Sequence, residues 1–182
     1  MASPTNPGQD AGAPRRRTMQ GSRWSAIAGL AALLAGSSAL AQWRDNHALL
    51  INTTQSLPNW AFFIDRGRKP QRGDFVVFTP PRTPLVIAHF GQKPPPFAKR
   101  ALGIPGDHVT REGARVLING QVVAELKPLT RQGEALVPGP IGTIPRGCYY
   151  FGSAHKDGFD SRYGAIGFVC AASIVGTGDS VL

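Results

Sequence analysis

Acidic side chains are scarce in this chain: eleven Asp and Glu face twenty Lys and Arg in 182 residues, for a formal charge of +9. Charge of either sign is sparse as well, at 17% of residues, and there are only two cysteines and two methionines. The excess positive charge forms no stripe interleaved with aromatics, so direct nucleic-acid binding is not expected. Attraction to anionic lipid headgroups fits it at least as well. His47, His89, His108 and His155 are scattered without ligand spacing, which excludes a recognisable metal site, and neither a metal nor an organic cofactor is expected. There is no Gly-x-Ser-x-Gly elbow, and no histidine and carboxylate assign themselves to a triad. No internal repeat breaks the chain. Its length suits one medium domain plus a tail or anchor.

Glycine and proline, in contrast, are plentiful. Twenty-two Gly and sixteen Pro point to short strands and turns rather than long helices. The exception is the run from Trp24 to Trp43, whose tryptophans bracket eighteen residues of Ala-rich, mildly apolar sequence. As a helix those eighteen residues span about 27 Å, close to a hydrocarbon core of ~30 Å. Arg15, Arg16, Arg17 and Arg23 precede it, the pattern of a positive-inside anchor. Residues 1–23 therefore read as a disordered basic cytoplasmic tail and residues 24–43 as a transmembrane anchor. Ala39-Leu40-Ala41 before Gln42 has the small-residue pattern of a signal-peptide cleavage site, which keeps a cleaved segment open. Both readings export residues 44–182, either attached to the membrane or free in the compartment beyond it.

The exported part reads as mostly β. Strands are predicted at Ala61–Ile64, Asp74–Phe78, Leu85–Phe90 and Ala98–Ile104. Val116–Val123 is predicted as a hairpin around an Asn119-Gly120 type I′ turn. Cys148–Phe151 and Ile166–Cys170 form a further expected strand pair, joined by a polar loop. In an oxidising compartment Cys148 and Cys170 are expected to pair, the alternative being two free buried thiols.

The residue with most chemical promise is Lys99, in the run Phe97-Ala98-Lys99-Arg100-Ala101-Leu102-Gly103-Ile104-Pro105-Gly106-Asp107. A lysine in an apolar strand is poorly solvated, and desolvation lowers its pKa. From an ordinary value near ~10.4, the neutral amine at pH 7 costs about 4.6 kcal/mol; a site that lowers the pKa removes much of that cost and makes a general base. The alternative is an ordinary strand lysine snorkelling to water. A base needs a nucleophile, and Thr54-Gln55-Ser56-Leu57-Pro58 supplies one, with Ser56 held by the extended residue before proline and Thr54 near enough in sequence to help bind an oxyanion. Alone, that stretch equally suits a linker. Gly178-Asp179-Ser180 looks like hydrolase punctuation but has no sequence after it to build a pocket.

Four blocks now stand in order: Ser56-Leu57-Pro58, Arg72-Gly73-Asp74-Phe75-Val76-Val77-Phe78, Lys99 to Asp107, and Asp160-Ser161-Arg162-Tyr163-Gly164. In these blocks, over about residues 50–175, the chain resembles the type I signal peptidase family. The resemblance implies a mostly-β signal-peptidase or LexA-like fold behind a single N-terminal signal-anchor helix. It also implies Ser56 as nucleophile, Lys99 as its base, an oxyanion hole from the Ser56 backbone and Thr54, and Asp160 with Arg162 as a supporting ion pair. Gly158 departs from the family pattern, which has a serine there. That departure, the compact length and the Ser-Leu-Pro block look more like the TraF-type conjugative-transfer branch. For that branch the expected substrate is a pilin precursor, with possible cyclisation through the acyl-enzyme and other type IV secretion components as partners. The implied location is the bacterial inner membrane, with the catalytic domain on the periplasmic face. A general leader peptidase, an inactive anchored scaffold of a secretion or pilus machine, and a LexA-like self-cleaving protein are the alternatives.

Overall fold

The computed structural model describes residues 20–51 and 61–180. The basic tail up to residue 19 and the stretch carrying Thr54 and Ser56 lie outside the described residues. Two compact units divide the chain, residues 1–42 and 43–182. What is described of the first belongs to helix α1 (Gln20–Asn46), whose residues Trp24–Asn46 are long and apolar enough to cross a membrane, with a mean hydropathy of 1.6. The apolar side chains of Ile27, Leu30, Leu33, Leu34 and Leu40 are exposed. Ser37 and Ser38 turn their hydroxyls back onto the carbonyls of Leu34 and Ala35, so neither presents an unsatisfied donor to lipid.

The second unit is built of antiparallel strands. Residues β1 (His47–Ile51), β2 (Ala61–Asp65), β3 (Phe75–Phe78), β4 (Phe97–Gly103), β9 (Cys148–Gly152), β10 (Val169–Cys170) and β11 (Ile174–Ser180) form one sheet, ordered β1-β2-β11-β3-β4-β9-β10. The smaller sheet has the order β7-β6-β5-β8, from β5 (His108–Glu112), β6 (Arg115–Ile118), β7 (Gln121–Glu125) and β8 (Gly142–Thr143). The hairpin β6–β7 turns on Asn119 and Gly120, both with positive φ (51° and 80°), as a type I′ turn requires.

Strand β4 runs through the middle of the chemistry. Its alternate residues Lys99, Ala101 and Gly103 are buried while Arg100 is exposed, the period of two that a pleated strand imposes. Ala101 packs in a core cluster with Val76, Phe78, Val86 and Phe151, with Phe97 against it. Lys99 shares that apolar face, between Phe97 and Ala101 along the strand.

Two sequence expectations are corrected. Leu85–Phe90 is not a strand but the end of helix α2 (Pro84–Phe90). The apolar run fits either period, and the flanks decide: Thr83 accepts the Val86 N–H at its side-chain oxygen, Pro84 starts the helix, and the N–H of Gly91 (φ 82°) closes it on the Ile87 carbonyl. The strand expected over Ile166–Cys170 keeps only Val169 and Cys170. Ile166 and Gly167 both donate their N–H to the Tyr163 carbonyl, forming a turn instead. Cys148 and Cys170 are cross-strand partners and are joined by a disulfide, with their Cα atoms 3.8 Å apart.

Candidate active site

Beyond β4 the chain must turn, and Gly106 (φ 93°) provides the left-handed residue. Asp107 locks this turn. Its carboxylate accepts from the Ile104 N–H (2.7 Å), from the Asn119 side-chain amide (2.8 Å) and from Arg72 Nη2 (2.6 and 2.5 Å), while Arg72 Nη1 donates to the Leu102 carbonyl. Burial pushes the Asp107 carboxyl up, but these hydrogen bonds outweigh it and hold the group below the usual carboxylate range. The second and third sequence blocks therefore meet in one clamp that fixes the end of the lysine strand.

Asp160 and Arg162, from the loop after β9, form a fully buried bidentate pair: Arg162 Nε donates to Oδ1 at 2.8 Å and Nη2 to Oδ2 at 3.0 Å. The same guanidinium reaches the carbonyls of Ser153 (2.7 Å) and Glu125 (3.2 Å). Asp160 also accepts from the backbone N–H groups of Ser153 and Arg162. Ser161, between them, accepts the Phe151 N–H at its hydroxyl. With both carboxylate oxygens and all three guanidinium nitrogens hydrogen-bonded, the pair fixes the loop to β9 and to the end of β7.

Lys99 is only 5% exposed. Burial lowers its pKa from the ordinary lysine value; the Asp160 carboxylate opposes this and the Arg162 guanidinium reinforces it, leaving the amine below normal. The loop pair is thus close enough to act on the charge of Lys99, and two of the motif blocks form one electrostatic unit. Lys99 and Gly158 also line a cleft of about 780 Å³. One part of its wall is apolar, with Leu50, Ile51, Phe90, Phe97, Leu129 and Leu136. Another is charged: Asp157 pairs with both Lys127 and Arg131, and His89 of α2 pairs with Glu134. Hydrogen bonds from Lys127 and Arg131 depress the Asp157 carboxyl well below normal.

A match over residues 22–182 to the family model described as "Signal peptidase, peptidase S26" decides the family. The chain belongs to the S26 signal peptidase family. A signal peptidase I from Leptolyngbya laminosa is 43% identical over 56 residues, covering 31% of this chain and 27% of that protein. The chain thus spans about a quarter of the length of that curated relative. A crystal structure of a signal peptidase I from Enterococcus faecalis V583 is 27% identical, with a TM-score of 0.37, over 60% of this chain and 97% of that one.

Within this S26 chain, Lys99, Asp160 and Arg162 come together, whereas Ser56 and Thr54 lie outside the described residues. The residues flanking them are placed: Ile51 and Ala61 are direct register partners across β1 and β2, and Leu50 and Ile51 line the same cleft as Lys99. Gly178-Asp179-Ser180 lies in β11, hydrogen-bonded to both β2 and β3, and Asp179 pairs with Arg68. It is structural. Sequence reasoning missed the cleft's His89–Glu134 and Lys127–Asp157–Arg131 pairs, which join residues 26 to 45 positions apart with no shared motif.

Proposed function

We propose that this chain is a membrane-anchored serine endopeptidase in which Ser56 is the nucleophile and Lys99 the base. The observation that carries the reading is a buried lysine of lowered pKa at a cleft large enough for a peptide. Five residues separate Ile51, at the cleft wall, from Ser56, a reach of up to ~17 Å. Neutral Lys99 takes the Ser56 proton as Oγ attacks the scissile carbonyl. The oxyanion is held by backbone N–H near Ser56 and by Thr54. The ammonium then protonates the leaving amine, and the ester left on Ser56 is resolved by water, with Lys99 again as base, or by a substrate amine in a cyclisation. Asp160 and Arg162 hold the floor beneath the amine.

The substrate proposed is a pilin precursor of a conjugative type IV secretion system, on the strength of the Ser-Leu-Pro block, the compact chain and Gly158. In this reading α1 anchors the enzyme in a bacterial inner membrane, the catalytic unit faces the periplasm, and other secretion components are neighbours. The relatives named signal peptidase I support the second reading equally, a general leader peptidase. Mass spectrometry of the candidate pilin, from cells carrying the active chain or Ser56→Ala, tests the first. Truncation dependent on Ser56 is expected, with loss of one water if the product is cyclic. Unprocessed pilin in both strains, together with rescue of a leader-peptidase-depleted strain, would replace it with the second. Processing that survives both Ser56→Ala and Lys99→Ala would leave a scaffold.

A further inference from the structure

Ser153 belongs to none of the sequence blocks, yet it is buried (2% exposed) and tied on every side. In the β4–β9 ladder Arg100 faces Gly152 and Ala101 faces Phe151. The strand β9 ends at Gly152, and Ser153 follows it as Lys99 precedes Arg100 on β4, so the antiparallel register continued by one step would put the two side by side. The Ser153 N–H donates to Asp160 Oδ2 (3.1 Å), its carbonyl accepts from Arg162 Nη2 (2.7 Å), and its hydroxyl lies 3.5 Å from Asp160 Oδ2.

Gly158 explains how that hydroxyl finds room. A Cβ at position 158 would come within 2.5 Å of Ser153 Oγ, 2.8 Å of Asp160 Oδ2 and 2.9 Å of Arg162 Nη2. Positions 153 and 158 compete for one volume, and this chain fills it from 153. A hydroxyl there can accept from an amine or ammonium while donating its own proton to Asp160. A lysine side chain so held also loses the rotameric freedom that would otherwise scatter its nitrogen.

We infer that Ser153 is the positioning residue for Lys99, its hydroxyl linking the amine to Asp160, and that Gly158 is glycine because Ser153 occupies its side-chain space. Only the kinetic consequence rests on Lys99 being the base; the placement does not.

The test uses the full chain in detergent micelles with ¹³C-labelled lysine, the Lys99 resonance being assigned with Lys99→Arg. Ser153→Ala removes an acceptor for the ammonium, so Lys99 titrates at lower pH than in the wild type. Ser153→Cys, which keeps the volume with a weaker acceptor, moves it the same way and covers the case in which the alanine variant does not fold. Precursor cleavage falls roughly 10–100-fold in kcat with little change in KM, the size expected when a reacting group is misplaced. Gly158→Ala, whose Cβ would crowd Ser153 Oγ together with the buried Asp160–Arg162 pair, lowers cleavage and Tm. An unmoved Lys99 titration in folded Ser153 variants, or a Gly158→Ala variant as stable and active as the wild type, overturns the inference. A titration that moves as expected while Lys99→Ala still cleaves precursor upholds the placement and removes Lys99 as the base.

Discussion

At the residue scale the proposed chemistry turns on one lysine amine kept out of water. Lys99→Arg should be as inactive as Lys99→Ala, because a guanidinium does not release its proton near neutral pH; comparing precursor cleavage by the two variants checks this. Cleavage by the wild type should rise with pH, with a midpoint below that of a free lysine, since burial lowers the Lys99 pKa. A pH-independent rate from pH 6 to 10, with chemistry rate-limiting, would contradict it. The same shift costs stability. The unfolded chain binds the Lys99 proton more tightly than the folded one, so folding stability falls as pH drops from the unfolded value towards the folded one and stays low beneath it. Lys99→Met, similar in length and apolar, should therefore abolish cleavage and stabilise the fold at pH 7 by about 1 kcal/mol, a few degrees in Tm. Asp160→Asn should instead destabilise the fold, because it leaves the buried Arg162 charge unpaired at a cost of roughly 3–5 kcal/mol. Thermal melts of the two variants separate these effects.

At the element scale, the turn after β4 and the loop after β9 set where the lysine strand ends and what lies beneath it. Asp107 holds the turn as a carboxylate, and its folded pKa is lowered. Its contribution is complete above the unfolded carboxylate value of ~3.9 and is lost as pH falls through the folded value. Asp107→Asn should thus destabilise by about 1–2 kcal/mol at pH 7, with the gap to wild type closing in acid, as read by denaturant unfolding at several pH values. The loop is closed by the disulfide, 22 residues apart in sequence, which carries Asp160, Ser161 and Arg162 between its ends. In the chain-entropy picture that closure contributes about 3 kcal/mol as an upper guide. Reduction, or a double Cys148→Ser/Cys170→Ser change, should lower Tm and cleavage together. Retention of full activity in the reduced protein would show that Asp160 and Arg162 are held by their own hydrogen bonds alone.

At the scale of the whole molecule the chain has two compact units, to which the proposed function gives attachment and chemistry in turn. Within α1, Trp24–Asn46 has the length and apolarity of a membrane span, and four arginines precede it in the sequence. Intact-mass measurement of the membrane fraction should find residues 1–43 still attached. A product beginning at Gln42 would instead identify the segment as a cleaved signal. Some of the charge of the second unit goes into ion pairs that join distant segments: Arg72 to Asp107, Arg68 to Asp179, Lys127 to Asp157. Those at the surface are worth little individually, and of the three only Lys127–Asp157 lies at the cleft wall.

How much of this was legible from residues alone follows from the range of each interaction. The Asn119-Gly120 hairpin, the alternation along β4 and the apolar span were legible because each depends on neighbours in the chain: positive φ, a period of two, a run of small apolar residues. The lysine in an apolar strand was legible for the same reason, whereas Asp160 and Arg162 were singled out only by the resemblance to a family. The strand expected at Leu85–Phe90 became a helix because so short an apolar run carries no decisive period, and its caps, one of them tied to the Ala165 carbonyl through Thr83, settled it. The cleft and the claim of Ser153 on the space beside Gly158 belonged to the tertiary structure alone. Ser153 reaches Asp160 and Arg162 only through the fold of the loop after β9, which is not encoded in the spacing of the residues along the chain.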